Sequence, residues 1–130
     1  MALGYNETLR DNQLDEITGL AGGSALLKVF SGSRPATGGA ETTKLSEQVC
    51  NATFAAAATG GVLTLNAIAD DTSADNTGTA SWFRIESSGA THVMDGDVAT
   101  SGADLNFDSV SFVAGGTVAV SSFTVTAGNA

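Results

Sequence analysis

Cysteine, proline and histidine each occur once in this 130-residue chain, at Cys50, Pro35 and His92. A lone cysteine excludes an intrachain disulfide, so the fold must hold by packing or by assembly with other chains, and Cys50 itself reads as a small buried hydrophobe. Basic residues are scarce: five Lys and Arg stand against fourteen Asp and Glu, a formal net charge of -9. An average field of that sign repels a polyanion, which argues against direct nucleic-acid binding. No apolar run approaches the roughly 20 residues that a membrane helix needs. The start, Met-Ala-Leu-Gly-Tyr-Asn-Glu, has no basic stretch before an apolar core, so no secretory leader is expected and folding is expected in a reducing cytosol.

Glycine is plentiful, at 16 residues, and only 15% of the chain is charged while 42% is hydrophobic. A small-residue, turn-rich chain of this length fits one mainly β domain: a β-sandwich, jelly-roll-like unit or squat barrel of about seven strands with a short N-terminal helix or arm. The expected division is a helical arm over residues 1–22 and a β domain over 23–130.

Asn6 to Leu20 is the one good helix candidate. Asn6 can cap the first turn with Glu7 just inside it, Gly19 or Gly22-Gly23 can end it, and Leu9, Leu14, Ile17 and Leu20 fall near one face. Arg10, Asp11, Asp15 and Glu16 are expected on the wet side. A single short helix has little stability alone, so its apolar stripe must lie on the β domain or on a neighbouring subunit.

Strands are expected over Ser24–Phe30, Thr43–Cys50, Gly61–Ala69, Ala80–Glu86 and Thr91–Met94, the last two joined by a turn at Ser87–Ala90. In the fourth, Phe83 and Ile85 face one way, Trp82 and Arg84 the other. Ser31–Gly39 is a loop in which Pro35 fixes its own φ and Gly38-Gly39 permits a sharp turn. Asn51–Ala58, with four consecutive alanines, is too short for a stable helix and reads as a packed loop. From Leu105 to Thr126 apolar residues alternate with small or polar ones on both sides of Ala114-Gly115-Gly116, which predicts an antiparallel hairpin with bulges at Asp108-Ser109 and Ser121-Ser122.

Candidate chemistry is thin. His92 has no nucleophile elbow to serve, and one histidine with one cysteine falls short of a zinc site. Asp70, Asp71 and Asp75, or Asp95 and Asp97, could offer oxygens to calcium, but neither group follows the spaced loop with a closing bidentate glutamate. Paired carboxylates could serve a glycosidase, yet one Trp, one Tyr and six Phe leave little for an aromatic sugar cleft. The glycine pairs lack the lysine of a phosphate loop. Neither an enzyme nor a cofactor or metal site is expected.

Several stretches carry a resemblance: Leu-Ala-Gly-Gly-Ser-Ala-Leu-Leu-Lys-Val-Phe at Leu20 to Phe30, Gly-Ser-Arg-Pro-Ala-Thr-Gly-Gly at Gly32 to Gly39, and Gly-Val-Leu-Thr-Leu-Asn-Ala-Ile at Gly61 to Ile68. Ala-Ser-Trp-Phe-Arg-Ile at Ala80 to Ile85, His-Val-Met-Asp-Gly at His92 to Gly96, Thr-Ser-Gly-Ala-Asp-Leu-Asn at Thr100 to Asn106 and Val-Ala-Gly-Gly-Thr-Val at Val113 to Val118 belong with them. In these the chain resembles small structural proteins of tailed bacteriophages and prophages, over essentially its whole length. The resemblance implies a capsid decoration, or cement, protein: a homotrimer made in the host cytoplasm that binds the major capsid protein on the outer face of the head. It implies no nucleic-acid or membrane partner, and it supplies no catalytic residues. Candidate subunit contacts are Leu9, Leu14, Ile17 and Leu20 in an arm from Ala2 to Leu20, and Arg34 and Pro35 in the loop. The alternatives are a tail, collar or baseplate component, or a virion module that binds a host receptor or sugar.

Overall fold

The computed structural model describes residues 4–127. Residues 1–3, and with them the start of the expected arm, lie outside the described residues.

The chain is mainly β with one short helix. Asn6 caps α1 (Glu7–Ala21) by accepting a 2.8 Å hydrogen bond from the Thr8 amide, and Gly22, at φ 67°, ends it with its N–H on the Thr18 carbonyl. Nine strands follow among the described residues: β1 (Leu26–Ser31), β2 (Thr43–Val49), β3 (Val62–Thr64), β4 (Gly78–Thr79), β5 (Trp82–Glu86), β6 (His92–Ala99), β7 (Leu105–Asn106), β8 (Ser111–Phe112) and β9 (Thr124–Thr126). Five form one sheet in the order β2-β1-β5-β6-β7, while β3 pairs with β9 and β4 with β8.

Period-two alternation gives the sheet two different faces. Cross-strand partners Leu27 and Ile85, and Val29 and Phe83, point inward. Leu63 of β3, Phe112 of β8 and Phe123 just before β9 close over them, and Leu14 and Ala21 of the helix join the same core. The result is a curled, sandwich-like half-barrel with the helix at one side. Cys50 is buried in that core, and burial pushes its thiol up to about 11.

The helix is integrated in the domain. Leu14, Ile17 and Ala21 face the β core, but Asp11 and Asp15 do not occupy the wet side as the sequence implies. Asp11 Oδ1 accepts from the Gly61 amide at 2.7 Å and Asp15 Oδ1 from the Ala58 amide at 2.8 Å. Spaced four apart on one helix face, these carboxylates take up backbone donors of the loop ahead of β3. Arg10 is also partly covered, and a Cβ at Gly61, where φ is +76°, would collide with its guanidinium.

The expected C-terminal hairpin does not form. Its turn does, with the Gly116 amide on the Val113 carbonyl at 2.8 Å and Gly115 at φ +81°. The flanking runs pair elsewhere: Leu105 and Asn106 lie parallel to Val98 and Ala99, Ser111 and Phe112 antiparallel to Thr79 and Gly78, and Thr124 to Thr126 antiparallel to β3. Apolar alternation reports which face is buried and says nothing of the hydrogen-bonded neighbour. The phase changes at Asp108-Ser109 and Ser121-Ser122 are breaks between elements; the register shifts occur at Val29/Phe30 and Ile85/Glu86.

Gly96 of β6 meets a packing demand. A Cβ there would run into the Phe83 ring, which itself stands edge-on to Phe123 with centroids 5.2 Å apart. Gly96→Ala is expected to lower stability by about 1–3 kcal/mol in denaturant unfolding, because the ring is wedged in the core and cannot retreat. Gly19→Ala, in a helical position with open space around it, is the control and should be neutral or stabilising by up to about 1 kcal/mol.

Candidate functional site

The outer face of the five-stranded sheet carries a dense cluster of polar and charged side chains. Lys28 and Arg84 are cross-strand partners on β1 and β5, Arg84 and Asp95 on β5 and β6, and Phe30 faces Trp82. Sheet register thus places two cations, a carboxylate and two aromatic rings side by side. Residues 32–42 fold back over them as a roof.

Arg84 and Asp95 form the centre. Arg84 Nε lies 2.7 Å from Asp95 Oδ1 and Nη2 lies 3.0 Å from Oδ2, a bidentate fork, with side-chain exposures of 8% and 1%. Asp95 Oδ2 also accepts from the Gly38 amide at 2.9 Å, and Arg84 Nη2 donates to the Gly39 carbonyl at 2.9 Å. Gly38-Gly39 is therefore the sharp turn the sequence implies, positioned so that roof and floor share one ion pair. Burial alone would push the Asp95 carboxyl up; hydrogen bonds from Arg84 and Gly38 outweigh it and hold the group down at about 2. His92 Nε2 stands 3.1 Å from Asp95 Oδ1.

A second pair flanks the first. Lys28 Nζ is 2.9 Å from Glu86 Oε1 and 3.5 Å from Glu41 Oε1, and Glu41 also reaches Arg84 Nη1 at 3.9 Å. Burial would lower the Lys28 pKa and raise that of Glu86, but their mutual hydrogen bond reverses both: Lys28 is raised and Glu86 lowered. The rings complete the floor. Phe30 and Trp82 stack at 4.2 Å and 16°, Arg84 Cζ lies 5.3 Å from the Trp82 ring centroid, and Trp82 Nε1 donates to Thr42 Oγ1 at 2.9 Å. With each charge answered by its opposite, the arrangement pins a loop to a sheet.

In the other acidic group, the chain's own backbone engages Asp71. Asp71 Oδ2 accepts from the Glu47 amide at 3.1 Å and its Oδ1 from the Ser73 amide at 3.0 Å. The Ala69 and Asp75 amides donate to the Val49 and Leu45 carbonyls, and Asn76 Nδ2 to the Lys44 carbonyl. Residues 69–76 thereby cover the outer edge of β2, which would otherwise present unpaired backbone groups. Among the described residues no three or more His, Cys, Asp or Glu side chains gather to hold a metal.

The expected subunit contacts divide. Leu14 is buried and Ile17 half-buried against this chain's own core, so Leu14 is closed to a neighbour. Leu9 and Leu20 are 45% and 51% exposed. Arg34 Nη1 lies 3.5 Å from Asp97 Oδ1 at the rim of the roof, and Pro35 is half-buried beside Gly39. Sequence reasoning missed Arg84, Asp95 and Glu86 as a network. The signal was available in part, since Trp82 and Arg84 were placed together on the face opposite Phe83 and Ile85.

No protein-family model, curated protein or solved structure matches the chain. No helix among the described residues is long and apolar enough to cross a membrane.

Proposed function

We propose that the chain is a structural protein of a tailed bacteriophage virion, a decoration protein that binds the major capsid protein on the outer face of the head as a homotrimer and stabilises the shell. The sequence resemblance motivates the reading, and its net charge of -9 favours a place away from packaged DNA. One observation carries it: the helix is locked on its inner side by Leu14, Ala21, Asp11 and Asp15, while Leu9 and Leu20 stand outward. Eleven residues are just over three whole turns, so both leucines share one outer face about 16 Å apart. Covering them with a neighbouring subunit would remove apolar surface from water.

Deleting the helix would remove core residues, so point changes are the proper test. Purified protein is expected to cosediment with expanded heads lacking it. Leu9→Glu combined with Leu20→Glu should weaken that binding at least about tenfold, equivalent to about 1.4 kcal/mol, with the melting temperature little changed. Wild-type protein that leaves heads unoccupied at saturating concentration would overturn the reading.

A further inference from the structure

We propose that the gap between β6 and β9 is a docking groove for one extended, lysine- or arginine-bearing strand of a different protein. A groove of about 410 Å³ runs between these two strands, floored by Phe83, Met94 and Phe123. Hydrogen-bond phase shows what the walls present. The Leu65 amide donates to the Phe123 carbonyl and the Ala127 amide to the Gly61 carbonyl, so alternate residues 123, 125 and 127 turn toward β3. The backbone groups of Thr124 and Thr126 therefore turn the other way, toward the groove.

On the facing wall the Val98 amide donates to the Ser81 carbonyl of the chain leading into β5, which sets residues 94, 96 and 98 toward that neighbour. Asp95 then turns its main-chain groups into the groove, whereas those of Asp97 are engaged where β7 joins β6. Asp104 Oδ2 already accepts from the Asp97 amide at 2.9 Å, in the manner of an incoming partner. Among the described residues no hydrogen bond joins β6 to β9. An added strand would pair with Thr124 and Thr126 of β9 and with Asp95 of β6 ahead of β7, with alternate side chains on the aromatic floor.

Charge selects the occupant. Asp104 lines this groove and also the adjoining depression, which Asp108 lines as well, and neither contains a lysine or arginine. A second copy, itself at -9, is the wrong sign. The groove chemistry stands whether or not the chain decorates a shell.

The test is fluorescence anisotropy with the labelled heptapeptide Lys-Val-Thr-Val-Thr-Val-Lys, the same peptide N-methylated at alternate residues, and a version ending in Glu. The parent peptide is expected to saturate the intact protein below millimolar concentration. N-methylation should weaken binding at least about tenfold because it removes the ladder donors, and terminal Glu should do so at low salt. Thr126→Pro, at an amide turned away from β3, should abolish binding while the melting temperature is kept. Absence of saturation, or equal affinity for the methylated or acidic peptide, would overturn the proposal. So would a concentration-dependent dimer that Thr126→Pro dissolves, since that assigns the edge to a second copy.

Discussion

Asp95→Asn is expected to destabilise the chain by about 3–5 kcal/mol in denaturant unfolding, the largest effect of any single polar substitution here. The change leaves the Arg84 guanidinium buried without its counter-charge, and removal of one member of a buried pair costs far more than the intact pair contributes. The Gly38 amide loses a charged acceptor at the same time, so the roof loop should become the first site of proteolytic cutting. Asp97→Asn, two residues along the same strand, supplies the contrast. Its partner Arg34 is 41% exposed and the Asp97 side chain 60%, so the loss should stay below about 1 kcal/mol. Equal effects at the two positions would mean that the outer-face network is not what holds the roof.

Acid acts on the same carboxylate without mutation. The Asp95 pKa is depressed in the folded protein, to about 2 from an ordinary 3.8. A group of that kind binds more protons when unfolded, so its stabilisation is complete above the unfolded value and disappears as pH falls through the folded one. About 2 kcal/mol should therefore be lost between pH 4 and pH 2. Glu86, also lowered, adds in the same direction. Asp95→Asn should flatten this part of the pH profile.

Much of the fold was legible because it is written in short-range chemistry. Asn6 and Gly22 bound the helix at the cap and stop that their side chain and φ angle dictate. Trp82 to Glu86, His92 onward, and the Ser87–Ala90 turn follow from alternation and a glycine-bearing turn. What was not legible depends on partners distant in sequence. The runs around Gly115-Gly116 alternate as a hairpin would, yet Gly115 and Gly116 exchange hydrogen bonds with Ala74, some forty residues back. Asp11 and Asp15 look solvated on a helical wheel until the backbone amides of Gly61 and Ala58 are brought to them. Asp95 and Arg84 are a pair only because β5 and β6 are in one register. The apolar stripe of the helix was visible, but its split into inward Leu14 and outward Leu9 and Leu20 required the sheet it docks on.

Trp82→Ala is expected to cost about 3–5 kcal/mol, although its ring lies outside the main core. The side chain is fully buried, stacked on Phe30 below and held by Thr42 above, so truncation opens a void that the charged neighbours Lys28 and Arg84 cannot fill. Trp82→Phe keeps an aromatic ring against Phe30 and loses chiefly the Nε1 hydrogen bond to Thr42, for about 1 kcal/mol beyond the change in volume. The two variants thus separate stacking from anchoring, and unfolding curves with limited proteolysis at residues 32–42 read each. Because Trp82 and Asp95 hold the same roof, one from Thr42 and the other from Gly38, their effects should not add. Once either hold is broken the loop is partly released, and the second change removes less. A double-mutant cycle in which Trp82→Ala and Asp95→Asn together fall about 1–2 kcal/mol short of their sum is the expected result. Strict additivity would show that the rings and the ion pair stabilise the sheet independently, and that no single roof couples them.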